Sequence, residues 1–214
     1  GSEIPTPHID RLARHGLRYT NFHTTTLCSP SRASLLTGRN HHAIGMRMLS
    51  NLDTGFPSGR GSITPAAATI AEILRDQGFN TFCVGKWHLA PTEHTSASGP
   101  YDQWPLGRGF ERYYGYLEAE TDCFFPELTY DTHAVDPPRT PEQGYHLTTD
   151  LIDRSIGFIR DQTSVTPDKP FFLYFAPGAT HVPHHVPKEW IERYRGRFDD
   201  GWDHLRERTF VRQK

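Results

Sequence analysis

Cys28 and Arg32 stand four residues apart, the spacing that puts two side chains on one face of a helix. Pro30 suits a first helical turn and Gly38 offers a left-handed stop, so a helix of about two turns is expected here, opening at Cys28. A thiol and a guanidinium then converge where unpaired backbone N–H groups and the positive end of the helix dipole favour an anion. Lys86 and His88 follow a strand-like run and sit two residues apart. If that segment is extended, both point into one crevice, a cation beside an imidazole. His181 comes just after a second apolar run, Phe171 to Phe175, and reaches the same sheet edge as Lys86 if the two strands are parallel.

The stretch Leu27-Cys28-Ser29-Pro30-Ser31-Arg32, continued by Ala33-Ser34-Leu35-Leu36-Thr37-Gly38-Arg39, resembles the signature of the type I sulfatases. Three further segments resemble that family in the family's order: Thr6-Pro7-His8-Ile9-Asp10-Arg11-Leu12-Ala13, Gly85-Lys86-Trp87-His88-Leu89, and Phe175-Ala176-Pro177-Gly178-Ala179-Thr180-His181. The resemblance implies that a formylglycine-generating enzyme oxidises Cys28 to Cα-formylglycine, and that Arg32 holds the aldehyde hydrate with a planar fork suited to oxyanions. It further implies that Lys86 faces the sulfate oxygens, that His88 lies near the second gem-diol hydroxyl, and that His181 contacts sulfate and protonates the leaving alcohol. A thiol alone is poorly suited to the task, because attack at sulfur would leave a thiosulfate-like adduct with no easy exit. A hydrated aldehyde attacks with one hydroxyl and expels sulfate through the other, which is covalent catalysis with a built-in release step.

The implied reaction is hydrolysis of a sulfate monoester, as in an arylsulfatase. Two rivals stay open at this point. Some related phosphonate and phosphate monoester hydrolases carry the same signature, and a truncated or purely binding chain could keep it without catalysis. The family also holds a divalent cation, usually calcium, through an acidic pair upstream of the Thr6-Pro7 segment and an Asp-Asn pair downstream of the substrate histidine. Neither pair maps onto these residues, so residues 1–214 are expected to be an inner portion of a sulfatase catalytic domain, inactive alone, with Cys28 as formylglycine the one metal ligand it would bring. Calcium takes about six or more oxygen ligands, which that residue cannot supply by itself. His184 and His185 invite a zinc reading but lack partnering carboxylates, and Asp199-Asp200 reads as a solvated acidic turn after a basic helix.

A formal net charge of −2 over 214 residues argues against a general nucleic-acid surface and leaves room for a local cationic pocket. Aromatic content of 12% argues for a folded chain despite only 36% hydrophobic residues. No apolar window is long enough for a membrane span, and the three cysteines form no disulfide framework, which leaves the compartment open. Helices are expected from Thr6 to Gly16, from Thr64-Pro65 to Gly78 with Ile70, Ile73 and Leu74 inward, from Leu147 to Asp161, and around Trp190 to Tyr194. Strands are expected at Leu17–His23 and Phe79–Val84 and, as a buried run, at Phe171–Phe175. Residues 90–145 read as substrate-side loops with short strands. Helix, strand and motif-bearing loop recur in that order. This predicts an α/β fold with a mostly parallel sheet flanked by helices, of the alkaline phosphatase superfamily type and incomplete, lacking its first strand and C-terminal portion.

Overall fold

The computed structural model describes residues 3–214, which divide into two compact units. The larger, residues 25–185, carries a five-stranded sheet in the order β4-β3-β2-β1-β5. Strands β1 (Asn80–Lys86), β2 (Arg112–Tyr116) and β5 (Phe171–Ala176) run parallel, with Gly85 level with both Gly115 and Ala176. β3 (Leu128–Tyr130) and β4 (His133–Val135) form an antiparallel hairpin beyond β2, so the sheet is mixed.

Alternation along β1 divides the core. Phe82 and Val84 pack with Tyr114, Leu151 and Phe158 on one face, while Cys83 packs on the other with Ala33, Leu36, Trp87 and Tyr113. The first of these faces is covered by helix α4 (Leu147–Val165) through Leu147, Leu151 and Phe158, which recur at helical spacing. Opposite it lie helix α2 (Cys28–Thr37) and helix α3 (Ile70–Asp76), the latter burying Ala71.

Arg108, 3% exposed, fastens the segment before β2 to the α3 region: it donates to the carbonyls of Ile63 and Ala67 and pairs with Glu72 at 3.4 Å. A buried guanidinium is tolerated because both terminal nitrogens find acceptors, although Nε has none among the described residues. No helix among the described residues is long and apolar enough to cross a membrane.

The smaller unit, residues 3–24 and 186–214, contains α1 (Pro7–His15), α5 (Lys188–Glu192) and α6 (Gly201–Gln213). Pro7 occupies the first turn of α1 as expected, and none of the α1 residues is buried. Glu3 accepts from Arg208 and Arg212, while Asp200 pairs with Arg208 ahead of α6, in keeping with a solvated acidic turn.

Several expected elements differ. Leu17–His23 is not a strand: no strand lies alongside it among the described residues, and without a ladder partner its alternating Leu17, Tyr19 and Phe22 remain exposed. The helix expected from Thr64 starts at Ile70, because Thr69 and Glu72 form a reciprocal capping box that satisfies two terminal N–H groups. Ile70 and Ile73 are exposed, whereas Ala71 faces inward. β5 is an edge strand rather than a buried one, with Phe171 and Phe175 exposed. The helix near the C-terminus is shorter than expected and ends before Tyr194, and α6 follows it.

Candidate active site

Helix α2 opens at Cys28 and ends at Gly38, which adopts φ +66° and donates its N–H to the Ser34 carbonyl. Before α2, Ser31 Oγ donates to the Thr25 carbonyl at 3.0 Å, and the buried Ser29 hydroxyl accepts the Ser50 N–H at 3.2 Å. Cys28 is thereby fixed at a helix start, half-buried and free of any disulfide. One turn on, Arg32 Nη1 donates to the Lys86 carbonyl at 2.8 Å and to the Tyr174 hydroxyl at 3.3 Å. These two bonds join α2 to the carboxyl ends of β1 and β5.

Lys86 is the last residue of β1 and only 2% exposed. Burial pushes its pKa down and the Arg32 charge adds to that, while Cys28 and Glu120 oppose it, Cys28 also through a side-chain hydrogen bond. The cation therefore lies against Cys28. Backbone at this point is unusual: Gly85 has φ +113°, and a side chain there would put its Cβ 2.1 Å from the Ala176 carbonyl oxygen. A Cβ on Gly115 would come 2.0 Å from the Gly85 oxygen. Two glycines thus let β1, β2 and β5 crowd together just where Lys86 leaves the sheet.

His88 adopts φ +55°, donates its backbone N–H to the Leu117 carbonyl at 2.9 Å, and is 2% exposed. Its Nδ1 has no partner among the described residues. Burial, followed by the charges of Lys86, Arg32 and His181, depresses its pKa to about 3, so the ring is neutral at ordinary pH. Between the two motif residues, Trp87 is fully buried and anchors the segment by donating from Nε1 to the Gln103 carbonyl at 2.8 Å.

His181 lies past the end of β5 and is exposed, its Nδ1 3.5 Å from a Glu120 carboxylate oxygen. Its influence on His88 places it in the same neighbourhood. The structure thus brings together all five residues singled out from sequence: Cys28, Arg32, Lys86, His88 and His181. Glu120, Tyr174 and Tyr116 join them unannounced. Tyr174 sits on an alternating strand, where its position facing Arg32 could have been counted off. Tyr116 ends β2, and Glu120 lies in a loop whose sequence carries no signal for it.

Chemically the group is a concentration of donors around one thiol. Arg32 and Lys86 are cationic, and His88 is a neutral ring with a ring nitrogen to spare. Such a set suits a small tetrahedral oxyanion, with the buried Lys86 stabilised further when an anion arrives. His184 is exposed, and His185 Nδ1 stands 3.3 Å from Asp122. Among the described residues no group of three or more His, Cys, Asp or Glu side chains converges to hold a metal. These residues alone therefore do not fit a calcium or zinc site, and no chemical step is assigned to one.

A protein-family profile described as Sulfatase matches residues 1–213. An uncharacterized sulfatase of Schizosaccharomyces pombe is 34% identical over 228 residues, covering 100% of this chain and 40% of its own length. Human arylsulfatase A is 33% identical over 214 residues, covering 91% of this chain and 40% of its own. Among solved structures, a protein in complex with its substrate D-glucosamine-2-N,6-O-disulfate superposes with a TM-score of 0.64 at 26% identity, over 94% of this chain and 34% of the other. The chain spans less than half the length of the curated relatives it matches. With the family profile matched from end to end over a sheet that gathers Cys28, Arg32, Lys86, His88 and His181, the chain belongs to the sulfatase family.

Proposed function

We propose that the full-length protein hydrolyses a sulfate monoester to an alcohol and sulfate, with Cys28 converted to Cα-formylglycine as its nucleophile. The observation that carries this is the junction of Arg32 with the Lys86 carbonyl, 2.8 Å long, which holds the start of α2 against the end of β1. Cys28 and Lys86 interact directly there. One hydroxyl of the aldehyde hydrate attacks sulfur and the alcohol departs. The second hydroxyl then loses its proton, the aldehyde re-forms as sulfate leaves, and water adds to the aldehyde to restore the hydrate.

In that scheme Lys86 and Arg32 hold the oxygens on which charge accumulates, from a dry wall where such charges count for most. Neutral His88, with Nδ1 unpartnered, is fit to take the proton of the second hydroxyl. Exposed His181, its Nδ1 2.8 Å from the Val182 carbonyl oxygen and 3.5 Å from Glu120, is fit to give a proton to the leaving alcohol. Conversion of Cys28 requires a formylglycine-generating enzyme as a partner during maturation.

The test is turnover of 4-nitrophenyl sulfate by the full-length protein, produced beside a formylglycine-generating enzyme, with a phosphonate monoester assayed in parallel. Sulfate turnover that disappears in Cys28→Ala supports the proposal. Faster turnover of the phosphonate would overturn the assignment to sulfate.

A further inference from the structure

A cavity of about 460 Å³ opens next to the catalytic group, within the range of small-molecule sites. Tyr116 and Leu117, at the end of β2, form its inner wall, and the β3–β4 hairpin forms another through Leu128 and Val135. The cavity is continuous with the reacting group through Glu120, which lines it while facing His181 and influencing Lys86. An ester whose sulfate rests on Arg32 and Lys86 has this space for its other end.

The charge of that space is one-sided. Glu118, Glu120, Glu127 and Asp136 all line it, and among the described residues no lysine, arginine or histidine does. Glu118 accepts from the Thr95 hydroxyl at 2.8 Å and Glu120 lies 3.5 Å from His181, while Glu120, Glu127 and Asp136 are all exposed. These carboxylates do not converge as ligands of a bare metal ion. They surround a volume large enough for an organic group, beside a centre of opposite sign.

We infer that this cavity receives the alcohol part of the ester and selects one that bears an ammonium group, against one that bears a second sulfate or a carboxylate. The inference rests on the sulfate chemistry proposed above and adds the identity of the alcohol. Opposite charge facing the carboxylates attracts, and a second anion there meets like charges, which is how a site rejects a near neighbour of its substrate. Because three of the four carboxylates are exposed, the preference weakens as salt screens them.

The experiment compares glucosamine 6-sulfate, whose amine is cationic, with glucosamine 2-N,6-O-disulfate, using 4-nitrophenyl sulfate as a reference on the full-length protein. We expect kcat/KM to favour the free amine by about tenfold or more at low salt, equivalent to roughly 1.4 kcal/mol. The variant Glu127→Gln/Asp136→Asn should shrink that ratio at least threefold, with 4-nitrophenyl sulfate turnover measured beside it to normalise any general loss of activity. Equal or better use of the disulfate, or a ratio untouched in the variant, would overturn the inference. A second arm measures binding of the same two esters to Cys28→Ala by calorimetry, so the cavity is read even without turnover. No turnover of any ester with the binding preference intact would sink the sulfatase reading alone. Equal binding of both esters would sink the charge selection alone.

Discussion

Replacing Gly85 by alanine tests whether the crowding of β1 against its neighbours sets the position of Lys86. At φ +113° an alanine is strained whatever the space around it, a cost of about 1–3 kcal/mol for a residue held in so sparsely populated a region. To this is added a Cβ only 2.1 Å from the Ala176 carbonyl oxygen, backbone that cannot swing aside. Overpacking of that kind costs about 1–3 kcal/mol more, so the expected loss is about 4 kcal/mol. Gly78 supplies the control. It has φ +89° but nothing within 4 Å of where an added Cβ would stand, so Gly78→Ala should cost the conformational part alone, about 1–2 kcal/mol. Urea unfolding followed by circular dichroism measures both. Because relief of the clash must part β1 from β5, the folded fraction of Gly85→Ala should also lose the Arg32 bond to Lys86 and with it at least about tenfold in turnover. Equal stability losses for the two variants would refute the reasoning, since the close approach would then contribute nothing.

Lys86→Ala and His181→Ala should each lower turnover of 4-nitrophenyl sulfate by roughly 10²-fold or more, whereas His184→Ala should change it little; equal losses for all three would mean that the wrong histidine was chosen. Arg108→Met should cost about 1–3 kcal/mol in chemical denaturation, because it leaves the carbonyls of Ile63 and Ala67 without that donor and removes the ion pair from Glu72, which keeps the Thr69 N–H, and no measurable loss would show that the staple is dispensable. His88 gives a pH dependence: its folded pKa, about 3, lies below the unfolded value, so the unfolded chain binds the extra proton as pH falls from about 6.5 towards 3. Stability contributed by neutral His88 is thus whole above that window and drains away within it, by at most about 1.4 kcal/mol per pH unit. A His88→Gln variant should flatten the slope, and an unchanged slope would assign the effect elsewhere.

Legibility from sequence followed the range of the interactions. The helix at Cys28 was readable because its determinants are local: Pro30 in the first turn and Gly38 at the stop act within ten residues. Lys86, His88 and His181 were readable as candidates because motifs and strand-like runs place them at strand ends. What escaped was set by partners distant in the chain. β2 is a central strand, yet Arg112–Tyr116 carries tyrosines and a glycine in a loop-rich context, and it becomes a strand by hydrogen bonding to β1. Leu17–His23 alternates well and has no strand to pair with among the described residues. The start of α3 shows a local competition instead. Thr64-Pro65 and Thr69 are both plausible caps, and Thr69 prevails because Glu72 completes the box while its hydroxyl also donates to the Arg108 carbonyl at 2.8 Å. Glu120 could not be found from its neighbours in sequence, because its significance comes from His181, sixty-one positions later.

The separation of charge around Cys28 follows from these placements. Two elements meet at one sheet edge, α2 contributing Arg32 and the end of β1 contributing Lys86 and, just beyond it, His88, while the loop after β2 contributes carboxylates a short distance away. A buried lysine would ordinarily shed its proton, and burial does push Lys86 down, but Cys28 and Glu120 pull the other way. Of these two, Glu120 is the carboxylate that faces the cationic pair of Arg32 and Lys86. An arriving oxyanion adds to that counterweight. The buried lysine and its guanidinium neighbour therefore draw an anion to the end of the cleft where Cys28 stands, and the carboxylates beyond Glu120 keep that attraction confined to that end.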